Sequence, residues 1–227
     1  MIADKREFSR GAILMAIFVV VLILMFMPLF NGKNALEYSD DLYNSISKQS
    51  AYYIPDTKEK VVAMESQRVT MNLEVGEDRA AETARLFRTA GAVVTTASAT
   101  LTVEGDLKSI LLSCLEDAEA MFRNNGQALE KKYGYDARPA LYNWWAACKV
   151  MDKNLTKQKL FKAAKLVDTV NKKAVEPAYN YYGIEPQKLT ERLGIVIFSL
   201  VFYVVYTLWY GFGIMFLLEG WGMRLEH

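Results

Sequence analysis

The sequence predicts an integral membrane protein, with two transmembrane α-helices flanking a mainly α-helical (α+β) extracytoplasmic domain that holds a small β-α-β element. Three observations predict it. The 227 residues are 52% apolar yet 23% charged. Of the 27 basic and 26 acidic residues, 23 and 22 lie between Asn31 and Arg192. The stretches Gly11–Phe30 and Leu193–Leu218 carry no charge at all. A soluble domain spreads its apolar residues at periods of two or 3.6, whereas here two blocks hold them. The same distribution excludes a disordered chain and a strongly basic binder, so no nucleic-acid partner is expected.

Residues 1–10 form a charged cytoplasmic N-terminus, and 11–30 the first span, about 20 residues for roughly 30 Å of hydrocarbon. A signal peptide is the competing reading, with Lys5, Arg6 and Arg10 as its charged start. Its apolar core would be only about 7–15 residues, followed by small residues at a cleavage site. Pro28-Leu29-Phe30-Asn31-Gly32 offers no such site, so a retained anchor is expected. Residues 193–218 form the second span, roughly 39 Å long at 1.5 Å per residue, which must tilt or rise above the membrane.

Three basic residues before the first span, against Lys33 and Arg192 on the other side, place both termini in the cytoplasm and 31–192 outside. A bacterial inner or plasma membrane is the expected location, with the lipid bilayer as a partner. Residues 219–224 form a cytoplasmic tail with Glu219 at the interface. Leu225-Glu226-His227 reads as a vector-derived tag remnant. His227 is the only histidine, so without it Ser-His and Cys-His pairs and histidine-held haem or zinc drop out.

Between the spans, Asn34–Ser50 has helical spacing, with Leu36, Ser39, Leu42, Tyr43 and Ile46 on one side, and Ile54-Pro55-Asp56 is expected to end it. Arg68–Val75 alternates as a half-buried strand. Glu77–Thr89 reads as a helix with Ala81, Ala84, Leu86 and Phe87 inward, and Val93–Val103 as one further strand, which permits a β-α-β crossover. The remainder reads as helix. Asp106 caps a stretch running to Phe122, Pro139 opens a second, and Thr156 caps a third through Ala174.

The most specific pattern lies in the second span. Ser199, Tyr203, Tyr206, Tyr210 and Gly213 fall within about an 80° sector of a helix. Buried phenols need partners, so the stripe faces protein or water, as a packing seam or as the lining of a pore. Cys114 and Cys148 could oxidise into a disulfide or remain two buried free thiols. Tyr52, Tyr53, Tyr179, Tyr181, Tyr182, Trp209 and Trp221 are expected as membrane-interface aromatics, with a ligand platform as the alternative for the tyrosines. No glycine-rich phosphate loop, nucleophile elbow or metal-ligand spacing is present, so no catalytic residue, cofactor or metal is expected.

In topology alone the chain resembles the sensing half of bacterial chemoreceptors and sensor kinases, with no signalling domain expected after the second span. The expected function is a non-enzymatic, membrane-anchored interaction or assembly subunit. Its external domain binds a partner, and its second span packs through the Ser/Tyr/Gly stripe against the first span or another copy, with a homo-oligomer or another membrane protein as the expected partner. The alternatives are a homo-oligomeric channel lined by the second span and, more weakly, an extracytoplasmic ligand sensor.

Overall fold

The computed structural model describes residues 2–223; Arg224 and the residues read as a tag remnant, 225–227, lie outside them. The protein is 71% helical with one three-stranded sheet. It divides into two compact units, one reaching Ile46 and resuming at Gln187, the other Ser47–Pro186. Two helices are long and apolar enough to cross a membrane.

The first of these, α1 (Lys5–Phe26), starts at Asp4, whose carboxylate accepts the backbone N–H groups of Arg6 and Glu7. It stops four residues before the predicted end of the span. Met27 precedes Pro28 and is extended at φ −75° and ψ 146°, because the proline ring disfavours a helical residue before it. Asn31 and Gly32 then take φ of 52° and 82°, and Phe30 and Lys33 exchange both backbone hydrogen bonds across this two-residue turn. After it comes α2 (Ala35–Ser50). The second long helix, numbered α10 below, is Leu189–Gly220 and overruns the predicted span at both ends. Glu219 is exposed in its last turn.

α2 stops at Ser50, the predicted end, and Ile54-Pro55, expected only to end it, begins a further helix in the other unit. α3 (Ile54–Ala63) carries the proline in its first turn, where a missing N–H costs nothing. β1 (Arg68–Glu74) alternates as predicted, with Val69, Met71 and Leu73 buried. α4 (Glu77–Thr89) buries Ala80 and Thr83 beside Ala84, Leu86 and Phe87, while Ala81 is exposed. The predicted strand 93–103 is two strands, β2 (Val93–Ala97) and β3 (Thr100–Asp106), because Ser98 takes φ 52° and reverses the chain. β3 lies between β1 and β2 and pairs antiparallel with each. The crossover therefore joins two parallel strands split by a third. That adds the pairing which two strands alone would lack.

Asp106 caps α5 (Leu107–Phe122) through the Ser109 N–H at 3.0 Å, and the predicted apolar face of α5 is buried throughout. A helix with no predicted counterpart, α6 (Gly126–Tyr133), follows. α7 (Ala137–Lys157) runs through Thr156, which therefore caps nothing; Lys159 at φ 63° turns the chain instead. α8 (Phe161–Val170), a π turn (Asn171–Val175) and α9 (Glu176–Asn180) complete the unit. Its core lies around α5 and α7, where Phe87 meets Trp144 edge-on at 5.3 Å between ring centroids.

Candidate functional site

The stripe of the second long helix is divided among different neighbours. Tyr206 faces α1: its hydroxyl donates to the Phe18 carbonyl at 3.0 Å and its ring stacks on Phe18 at 4.3 Å. Gly213 is buried against Met15, and the Tyr210 ring lies 5.2 Å from Phe18. Ser199 meets α2, with its hydroxyl 2.5 Å from that of Tyr43. Tyr203 takes no part. It is 69% exposed, and its hydroxyl makes no hydrogen bond among the described residues.

The two long helices run antiparallel at close range. Gly220 abuts Phe8, Gly11 abuts Gly213 and Leu217, and the Trp209 indole N–H donates to the Leu14 carbonyl at 3.1 Å. Trp209 thus joins the helix pair, whereas Trp221 is exposed and lies 6.1 Å from Phe8. Gly11 and Gly220 escaped the sequence reading. Their signal was small residues at both ends of otherwise bulky spans, which allow backbones to approach.

Within Ser47–Pro186, Cys114 and Cys148 are buried free thiols, and burial pushes Cys114 well above the usual thiol range. The tyrosines predicted for a membrane collar engage the domain itself. Tyr52 donates to Glu119 at 2.5 Å and accepts from Arg123 at 2.9 Å. Tyr53 carries the Lys173 ammonium at 4.5 Å, Tyr181 meets Phe122 edge-on at 6.4 Å, and Tyr182 lies beneath Arg138 at 5.3 Å.

Tyr179 lines a cleft of about 230 Å³ with Arg79, Glu82, Arg138, Pro139, Tyr142 and Asn143. Arg79 lies over the Tyr142 ring at 5.3 Å, and the buried Asn143 amide holds Glu82 at 3.1 Å. Neither arginine has an ion-pair partner among the described residues. Two guanidiniums beside a fixed carboxylate can hold a small anion or zwitterion. No group of three His, Cys, Asp or Glu side chains there could hold a metal.

Two buried charges also escaped the sequence reading. Lys48 is 1% exposed and donates to Asn124 Oδ1 at 3.0 Å and to the carbonyls of Tyr181 and Ile184 at 3.0 and 2.6 Å; burial lowers its pKa. Asp117 is 2% exposed and accepts from the Tyr133 hydroxyl, from Trp144 Nε1 at 2.7 Å and from Lys132 at 2.7 Å. A charge on the apolar face of a predicted helix was the available signal for Asp117.

Burial first, then the Asp117 charge, hold Tyr133 far above the usual phenol range; burial pushes Tyr135 up to about 12. Each raised phenol keeps its proton in the folded state after the unfolded chain has lost it, so stability is full below pH ~10 and falls above it. Tyr133 alone contributes a slope of about 1.4 kcal/mol per pH unit. The partly exposed Tyr135 adds less, between pH ~10 and about 12. Urea midpoints measured from pH 8 upward check this, and a flat profile beyond pH ~10 would contradict the burial of both phenols. Comparison of the chain with protein-family models, curated proteins and solved structures finds no match.

Proposed function

We propose that the protein is a non-enzymatic, membrane-anchored assembly subunit. α1 and α10 cross the bilayer as an antiparallel pair with both termini in the cytoplasm, and the Ser47–Pro186 unit lies outside. The flank of α10 that carries Tyr203 docks on a helix of a second copy or of another membrane protein. The observation that carries this reading is Tyr203 itself. It lies ten residues into the uncharged block, roughly 15 Å along the helix axis, with its hydroxyl unpaired among the described residues. An unpaired hydroxyl in hydrocarbon costs on the order of 1–3 kcal/mol, and a polar atom on a neighbouring helix removes that cost. Docking is favoured over conduction because α1 takes up Tyr206 and Gly213, so a pore lined by the whole stripe would have to displace α1.

The mass of the detergent-solubilised particle tests the reading. The wild type is expected to exceed one chain, and Tyr203→Phe to weaken association by roughly 0.6–2 kcal/mol. Tyr206→Phe, whose partner lies within the same chain, is expected to leave the mass unchanged. A wild-type particle that holds neither a second copy nor another membrane protein, or an ion flux in vesicles that Tyr203→Phe alters while the mass stays constant, would overturn docking.

A further inference from the structure

The glycine seam ends where Phe18 meets Tyr206. Beyond it a Cβ at Gly194 would meet nothing within 4 Å, and a cavity of about 710 Å³ opens between α1, α10 and the first turns of α2. That volume lies within the roughly 300–1,000 Å³ that holds drug-sized ligands. Val21, Leu24, Phe198 and Phe202 wall it, and Ala35 and Ser39 are among the residues on its α2 side. Its two serine hydroxyls are already engaged, Ser39 with the Ala35 carbonyl at 2.7 Å and Ser199 with the Val196 carbonyl at 2.9 Å, and its third hydroxyl, that of Tyr38, belongs to a residue it shares with a polar recess. Water would find few partners there, which favours an apolar occupant.

The cavity shares Phe30, Asn31 and Tyr38 with a polar recess of about 260 Å³ that presents Lys33, Asp41 and Arg192. Lys33 is ion-paired with Asp41, while among the described residues the Arg192 guanidinium donates only to the neutral Gln187 amide at 2.8 Å. One positive charge in the recess is thus uncompensated. An apolar chamber continuous with a cationic mouth complements an amphiphile with an apolar tail and an anionic head. We infer that the joined cavity binds one anionic phospholipid, with an acyl chain between the helices and the phosphate at Arg192 and Lys33. This rests on α1 and α10 spanning a membrane. It does not depend on the docking of the Tyr203 flank.

The test uses the full chain, first confirmed to resist carbonate extraction from membranes, then delipidated in detergent. Native mass spectrometry reads the retention of phosphatidylglycerol, phosphatidylcholine and inorganic phosphate. One phosphatidylglycerol per chain is expected, in preference to phosphatidylcholine, with no retention of phosphate alone. Arg192→Gln is expected to weaken retention about tenfold. Ala35→Phe and Ser39→Phe fill the chamber and are expected to abolish retention while circular dichroism stays unchanged; should either fail to fold, Arg192→Gln still decides.

Equal retention by the filled variants marks a lipid of the general belt and overturns the site, as does indifference to headgroup charge. Retention of phosphate alone overturns the amphiphile. A crosslink from the cavity to a second copy assigns it to a helix instead. Release by carbonate refutes the membrane reading itself, whereas a carbonate-resistant chain that retains no lipid loses only this site.

Discussion

Asp117→Ala is expected to destabilise the fold by about 3–5 kcal/mol, the range for breaking a buried ion pair by removing one partner. Three donors converge on this carboxylate. Two of them, the Trp144 indole and the Tyr133 hydroxyl, belong to residues that are 0% and 4% exposed and have no route to water. An unsatisfied buried donor costs roughly 1–3 kcal/mol, so the two account for most of the effect. Lys132 contributes least, because its side chain is 28% exposed and can turn outward. Asp117→Asn keeps one acceptor oxygen and is expected to lose about half as much. Combining Asp117→Leu with Tyr133→Phe is expected to recover part of the loss, because donor and acceptor leave together. Urea unfolding of the detergent-solubilised protein, followed by circular dichroism, measures all three. A change under about 1 kcal/mol for Asp117→Ala would place the carboxylate in a solvated setting, at odds with this core.

The legible parts of the fold were those set by local periodicity. The buried face of α5 follows the spacing from Leu107 to Phe122, and β1 follows its alternation. The illegible parts depend on residues distant in the chain. Lys48 finds its acceptors 76, 133 and 136 positions away, and no pattern near Lys48 announces them. The Ser98 turn was hidden because Ala97 and Ala99 on either side of it continue the alternation into Leu101 and Val103, and its positive φ carries no glycine or asparagine marker. At the candidate site, periodicity placed the five stripe residues on one side of a helix. An 80° sector is wide enough to touch two neighbours, so α1 receives Tyr206 and Gly213 while α2 receives Ser199. Periodicity shows which residues share a face, and only the packed structure shows what covers each.

The glycine seam makes a graded prediction for the helix pair. Gly11→Ala and Gly220→Ala are each expected to cost about 1–3 kcal/mol, because their obstacles are backbone. A Cβ on Gly11 would lie 2.6 Å from the Leu217 nitrogen and 2.9 Å from the Gly213 oxygen; on Gly220 it would lie 2.5 and 2.6 Å from the nitrogen and Cα of Phe8. Neither helix can yield there without moving as a whole. Gly213→Ala meets the Met15 thioether at 2.8 Å, the far end of a flexible side chain that can rotate aside, so less than about 1 kcal/mol is expected. Trp209, tied to the Leu14 carbonyl, reports separation through its fluorescence as sodium dodecyl sulfate is titrated in. Equal damage at all three positions would mean that the pair tolerates no local repacking. No damage at any would mean that the helices do not pack through this seam. Tyr203 lies outside the seam, so Tyr203→Phe is expected to leave this midpoint in place while lowering the particle mass. That pairing of results separates the contact inside the chain from the contact between chains.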